Sequence, residues 1–300
     1  MIESGLRFAA IDIGSNAIRL LFTRVIEGNK HSDPFFIKES LIRMPLRLGQ
    51  DVFNNGLISK NNSTSFINTI FGFKYLLDAY QPINYRACAT AAMRNAKNNM
   101  DLIRKVKNDS GVNIEIISGS EEASLILGKN INQYLKHNKT YLHIDVGGGS
   151  TELSIISKGI KKFSKSFSIG SVRLLEKKVK KIHWDEMHNW LTTHTKSISE
   201  IEAIGSGGNI NKIFAMAEIM RKNAIEYKMI KEVIDNIEPY SLHDRITKLE
   251  LRPDRADVIT HAGKIYLSIM EWTNTEKMIV PQSGLPDGII HELYEEYNSN

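Results

Sequence analysis

Two periods of apolar residues share this chain. From Arg7 to Ile26 they alternate enough to predict a first β-hairpin, and Phe35 to Leu48 predicts another strand or two, broken at Pro45. From Ser59 to Tyr80 the period changes. Phe66, Ile67, Ile70, Phe73, Leu76 and Leu77 fall at three- and four-residue spacing, which predicts an amphipathic helix ending before Pro82. Asn84 to Thr90 reads as a strand, and the stretch from Thr90 to Asn95 leads into a helix that Gly111 should terminate. Asn113 to Ser118 is the next strand, followed by Gly119 and a helix from Ser120 to about Tyr134. Strands alternating with helices predict an α/β domain with a mixed sheet.

The second half repeats the scheme. Tyr141 to Ile144 and Leu153 to Ile156 read as strands on either side of Gly147, Gly148 and Gly149, which therefore fall in the turn of a hairpin. Ile160 to Leu175, with Gly170-Ser171-Val172-Arg173, reads as strands; Lys177, Lys178, Lys180 and Lys181 follow as a solvated helix face. Trp184 to Ser199 predicts a helix and Ile201 to Ile204 a short strand. Gly205-Ser206-Gly207-Gly208-Asn209 then leads into a helix from Ile210 to Arg221. Asp244 to Trp272 reads as two helices separated near Pro253, and Met278 to Tyr297 as a strand, Gly284, Gly288 and a terminal helix. The expected domain boundary is a compact hinge near 125–140. It divides the chain into 1–130 and 131–285, with the helix at about 286–300 free to pack back on the first domain.

Chemistry concentrates in the central run Ile144-Asp145-Val146-Gly147-Gly148-Gly149-Ser150-Thr151-Glu152. Glycines there bring backbone N–H groups close to a ligand, and successive N–H groups form a concave anion site suited to phosphate. Asp145 and Glu152 flank the cradle as hard oxygen ligands for a divalent cation that keeps most of its waters. Near the N-terminus Ile11-Asp12-Ile13-Gly14-Ser15-Asn16 has the same design, with Asp12 and Asp145 lying 133 positions apart. That distance is too long for a solenoid and predicts two related domains, each offering one glycine hairpin to a shared cleft. The strand–glycine–helix passage at Gly205 to Asn209 is a weaker, third anion candidate.

Composition narrows the class. Three hundred residues, 42% hydrophobic and 24% charged, suffice for two globular domains, and no stretch is apolar enough to cross a bilayer. The first ten residues do not make a signal peptide, since Asp12 interrupts a short apolar run. The lone cysteine, Cys88, excludes an internal disulfide, fits a cytoplasmic location, and lies in an apolar run that predicts a core position. A net charge of +5 would steer a polyanion, while the nine histidines show no metal-ligand spacing.

Several motifs, in order and spacing, carry a resemblance over essentially the whole chain. Asp12 to Asn16, Ala89-Thr90-Ala91-Ala92-Met93-Arg94, Ser118-Gly119-Ser120-Glu121-Glu122-Ala123, Asp145 to Glu152, Gly205 to Gly208, and Arg255-Ala256-Asp257-Val258-Ile259 with Gly263 resemble the exopolyphosphatase/guanosine pentaphosphate phosphatase (Ppx/GppA) family. The resemblance implies an actin-like (ribonuclease H-like) duplicated fold, two α/β domains around a central cleft. It implies Glu122 as catalytic base, with Glu121 as fallback, and Asp145 and Glu152 as holders of Mg²⁺. Asp12, Gly14, Ser15, Asn16, Arg94, Gly147, Gly148, Gly149 and Ser150 are implied as substrate-binding. Two departures from the resemblance stand out: members of the family often continue into a large helical C-terminal domain, whereas this sequence ends at Asn300, and the Gly-aliphatic-Arg-Glu-Gly tail appears as Gly284-Leu285-Pro286-Asp287-Gly288.

The activity implied is hydrolysis of terminal phosphoanhydride bonds of inorganic polyphosphate, releasing orthophosphate, with pppGpp hydrolysis as the alternative. An actin-type kinase or ATPase with a nucleotide pocket at Gly205 to Asn209, and a non-catalytic polyanion sensor, rank below these. No nucleic-acid or membrane partner is expected, and a homodimer is allowed.

Overall fold

The computed structural model describes residues 5–28, 33–128, 134–198, 200–217 and 223–299. The chain divides into two compact units, 1–118 with 285–300, and 119–284. The division falls between Ser118 and Gly119, ahead of the 125–140 stretch in which the sequence places a hinge; residues 129–133 of that stretch lie outside the described residues.

The first unit is built on a five-stranded mixed sheet in the order β3-β2-β1-β4-β5. Strands β1 (Leu6–Ile13), β2 (Ile18–Ile26) and β3 (Phe35–Met44) form an antiparallel meander; β4 (Asn84–Ala89) and β5 (Ile114–Ile116) add in parallel. After β3 the chain turns into helix α1 (Leu48–Asn55), because Pro45 cannot continue the ladder. Helix α2 (Lys60–Tyr80) starts where predicted: the Ser59 side chain accepts from the Asn62 N–H and caps it. It buries Phe66, Ile70, Phe73 and Leu77. The helical stretch before Gly111 is two helices, α3 (Ala91–Asn95) and α4 (Asn99–Ser110). The C-terminal helix Leu285–Ser299 packs on this unit through edge-to-face contacts of Phe8 with Tyr294 and Tyr297, stacking of Phe36 on His291, and the Lys38–Asp287 ion pair.

The second unit opens with α5 (Gly119–Ile126) and has a six-stranded sheet in the order β10-β11-β9-β6-β7-β8. Here β6 (Thr140–Val146), β7 (Thr151–Ser157) and β8 (Ile160–Phe167) are the antiparallel meander, and β9 (Glu202–Ser206) and β11 (Lys277–Ile279) the parallel additions; β10 (Ala224–Glu226) is the antiparallel edge. Read from the meander, 3-2-1-4-5 in the first unit is matched by 8-7-6-9-11 in the second. This is the duplicated α/β fold expected from the repeat.

Four passages of the second unit differ from the sequence reading. Ser171–Leu175 is a helix, α6, not the continuation of a strand. The helix expected from Trp184 begins earlier, as α7 (Lys181–Thr195). After α8 (Gly208–Met216) comes α9 (Tyr227–Ile237), which the sequence reading left unassigned although Ile230, Ile234 and Ile237 line its buried face. The two helices expected over Asp244 to Trp272 are three, α10 (Leu242–Thr247), α11 (Pro253–Ala256) and α12 (Ile259–Trp272). Pro253 starts a helix here, at a position where its missing N–H costs nothing.

Candidate active site

The two glycine hairpins are superposable in their hydrogen bonds. Gly14 donates its N–H to the Ala17 carbonyl at 3.1 Å, and Gly147 to the Ser150 carbonyl at 3.0 Å. In each, the aspartate is the second-to-last residue of the leading strand. What faces it across the ladder differs. Asp12 stands opposite Arg19, and Asp145 opposite Glu152. Cross-strand partners project from the same face of a sheet. Asp12 therefore accepts from Arg19 Nη1 at 2.7 Å, whereas the second hairpin presents two carboxylates side by side. Burial raises the Asp12 pKa, opposed by Arg19 and Arg43.

Asp145 and Glu152 are both buried. Like charges directly opposite one another destabilise a ladder, and here little water reaches them. Part of the Glu152 charge is met by two hydroxyls: its Oε1 accepts from Ser150 Oγ at 2.6 Å and from Ser166 Oγ at 2.9 Å. Two carboxylates with phosphate oxygens and water completing the shell suit a small hard divalent cation. Among the described residues there is no group of three or more His, Cys, Asp or Glu that could enclose a metal by itself. The donor set thus fits a cation shared with a ligand and does not fit an all-protein metal cage.

The loop between them is shaped from below. Helix α6 donates the N–H groups of Ser171 to the Gly147 carbonyl (3.0 Å) and of Val172 and Arg173 to that of Gly148 (2.9 and 3.0 Å). Arg173 Nε donates to the Gly149 carbonyl at 2.9 Å. With its carbonyls held from one side, the loop leaves the N–H groups of Gly148, Gly149 and Ser150 with no acceptor among the described residues. Successive open N–H groups in a turn are able to form an anion nest. Gly170, just ahead of this helix, lies so close to the backbone of Gly148 and Gly149 that any side chain would collide. Arg173 is half-buried, and burial lowers the pKa of its guanidinium; an arginine nevertheless keeps its charge in a protein.

Glu122 lies in the first turn of α5, whose N-terminus packs on the site. A Cβ on Gly119 would meet Ser166 and come within 3.7 Å of Glu152 Oε1. Ser166 thus touches both the start of the helix carrying Glu122 and the Glu152 carboxylate, a role the sequence reading missed. Glu121 and Glu122 are both half-buried.

In the first unit, Gly49 N–H donates to the Ser15 carbonyl at 2.8 Å, and Ser15 Oγ is buried with no hydrogen-bond partner among the described residues. Arg94 Nη1 donates to the Ile117 carbonyl at 2.7 Å. Its guanidinium is anchored to the chain after β5 as well as being a phosphate-binding candidate.

Gly207, at φ +88°, occupies the third glycine passage; a side chain there would strike the Asp145 carboxylate. The N-terminus of α8 is thus already faced by an anion of the protein. Next to it His143, fully buried, pairs through Nε2 with Ser206 Oγ at 2.9 Å. Burial lowers its pKa from 6.5 to about 3. The unfolded chain therefore takes up the proton first, and stability is lost as pH falls from about 6.5 towards 3. Chemical denaturation of the wild type and His143→Gln at pH 7 and pH 4 should show a difference between their acid losses of about 3 kcal/mol. Equal acid losses would mean that His143 does not report on the fold.

The sequence profile of the Ppx/GppA phosphatase family matches residues 38–296. The chain belongs to that family. A guanosine-5'-triphosphate,3'-diphosphate pyrophosphatase of Vibrio cholerae is 25% identical over 96% of this chain and 59% of its own. A bifunctional 3-dehydroquinate synthase/phosphatase of Fusobacterium nucleatum is 28% identical over 96% of this chain and 46% of its own. The chain thus spans about half the length of these relatives. The crystal structure of an exopolyphosphatase from Cytophaga hutchinsonii matches with a TM-score of 0.82 at 21% identity, covering 97% of this chain and 98% of that one. That likeness establishes the Ppx/GppA fold for the chain. Among the described residues no helix is long and apolar enough to cross a membrane.

Proposed function

We propose that this Ppx/GppA chain hydrolyses terminal phosphoanhydride bonds of inorganic polyphosphate and releases orthophosphate. The observation that carries the reading is the loop of Gly148, Gly149 and Ser150, three unengaged N–H groups beside the buried Asp145 and Glu152. Phosphoryl transfer needs neutralised phosphoryl oxygens and an oriented nucleophile more than it needs covalent help. The loop amides would hold the terminal phosphoryl oxygens by charge-assisted hydrogen bonds. Glu122, on the helix packed against Glu152, would orient the attacking water and take its proton. Asp145 and Glu152 would hold Mg²⁺, which when bound supplies positive charge to the phosphoryl oxygens. In the first unit, Asp12, Gly14, Ser15, Asn16 and Arg94 are assigned to phosphate binding through the matching turn. pppGpp is the second candidate substrate, supported by the Vibrio relative.

Phosphate release from polyphosphate and from pppGpp, measured side by side with and without Mg²⁺, tests the proposal. Mg²⁺-dependent release from polyphosphate is expected. Release from pppGpp alone would shift the substrate to the guanosine compound, and release from neither would remove the reading.

Arg94→Ala is expected to raise KM by about tenfold or more, since a hydrogen bond to a charged group contributes ~1.5–3 kcal/mol. Because Arg94 also holds the Ile117 carbonyl, a modest drop in Tm should accompany it. A lowered Tm with unchanged KM would make Arg94 purely structural.

A further inference from the structure

Val146 links Asp145 to the glycine loop, and both of its backbone polar groups end on side chains rather than on a strand. Gly147 donates towards β7, so the alternation of an antiparallel ladder turns the N–H and carbonyl of Val146 to the β9 side. Strand β9 stops one step short: its last residue, Ser206, pairs with Asp145. Two side chains fill the gap. Asn209 Nδ2 donates to the Val146 carbonyl at 2.9 Å, and the Tyr266 hydroxyl accepts from the Val146 N–H at 3.4 Å while donating to the Ser206 carbonyl at 3.1 Å. Tyr266 is fully buried and Asn209 nearly so. The Asn209 amide is in turn oriented by Arg255, whose Nη1 donates to its Oδ1.

We propose that Asn209 and Tyr266 are positioning residues that fix the Asp145–Gly147 junction, with Arg255 acting through Asn209. The arrangement sets the angle at which the Asp145 carboxylate and the loop amides leave the sheet. The bonds to Val146 and Ser206 are buried, so losing one leaves an unsatisfied group whose relief is movement of the loop. Groups that orient a metal-binding carboxylate typically contribute 10–100-fold in affinity or activity.

The inference rests on the phosphohydrolase reading of the same site, and two measurements keep the two apart. In Asn209→Ala and Tyr266→Phe, made in the full chain, hydrogen exchange of the Val146 and Gly147 amides should accelerate about tenfold or more, with segments of β1 and β2 unchanged. The Mg²⁺ concentration giving half-maximal phosphate release from tripolyphosphate should rise about 10–100-fold, with a smaller change in kcat at saturating Mg²⁺. Arg255→Met should reproduce the Asn209→Ala defect, and Arg255→Lys, which keeps a charged donor, should restore much of it. Unchanged exchange in both Asn209→Ala and Tyr266→Phe would overturn the proposal. So would global unfolding of both Asn209→Ala and Arg255→Met, because the network would then be structural. A wild-type chain inactive on polyphosphate and pppGpp would remove the phosphohydrolase reading, while the exchange measurement still decides whether these side chains hold the loop.

Discussion

Glu122→Gln is expected to lower kcat for phosphate release by about 10²–10⁴-fold with little change in KM, the size of a lost general base. The substitution keeps shape and hydrogen-bonding capacity and removes the proton acceptor. Glu122 sits in the first turn of α5, the helix whose Gly119 abuts Ser166 and Glu152. Glu121→Gln is the matched control. It alters charge and size identically, one residue along the helix and therefore rotated by roughly 100°, and should be close to neutral. Steady-state kinetics of the pair separate the two carboxylates. A severe defect in Glu121→Gln with an active Glu122→Gln would exchange their roles, and two active variants would remove general-base catalysis from this helix.

Asp145→Asn and Glu152→Gln should each raise the Mg²⁺ concentration needed for half-maximal turnover. A direct ligand should cost at least what a ligand-orienting group costs, about 10–100-fold. Stability gives an independent readout with the opposite sign. The two carboxylates oppose each other across the β6–β7 ladder, both buried. Neutralising one relieves that repulsion, so without Mg²⁺ each variant should melt at or above the wild-type Tm. Addition of Mg²⁺ should raise Tm in the wild type and much less in the variants, because a cation that binds the folded state stabilises it by mass action. Wild-type turnover at limiting Mg²⁺ in both variants would refute the metal assignment.

The asymmetry between the hairpins bears on where that cation goes. Arg19 occupies in the first hairpin the ladder position that Glu152 occupies in the second. The first aspartate therefore faces a cation across the ladder, and the second faces another carboxylate. The difference was in plain view in the sequence, because both turns have the same length and thereby fix the same register. It goes unread there until the ladder pairs residue 12 with 19 and 145 with 152.

Local order was legible in the chain itself. Strand alternation, the three- and four-residue spacing in Phe66–Leu77, the Ser59 cap and the glycine turns are all interactions between residues close in sequence, so their patterns survive without the fold. The repeat of Asp12 at Asp145 foretold the duplicated sheets for the same reason. Where the sequence misled, a distant partner had overruled the local pattern. Ser171–Leu175 is apolar enough for a strand, but the carbonyls of Gly147 and Gly148 draw its N–H groups into a helical turn. The contacts through which distant side chains shape the site were beyond reach. Asn209 meets Val146 across 63 positions, Tyr266 meets it across 120, and Ser166 reaches Glu152 from the neighbouring strand. Spacing along a chain encodes neighbours along an element, whereas contacts over such distances exist only once the sheet has formed. The amino-acid sequence by itself thus determined most of the elements, the duplication and the glycine turns. The tertiary structure decided which side chains hold them in place, because a buried backbone group left without a strand must be satisfied by whatever the fold brings beside it.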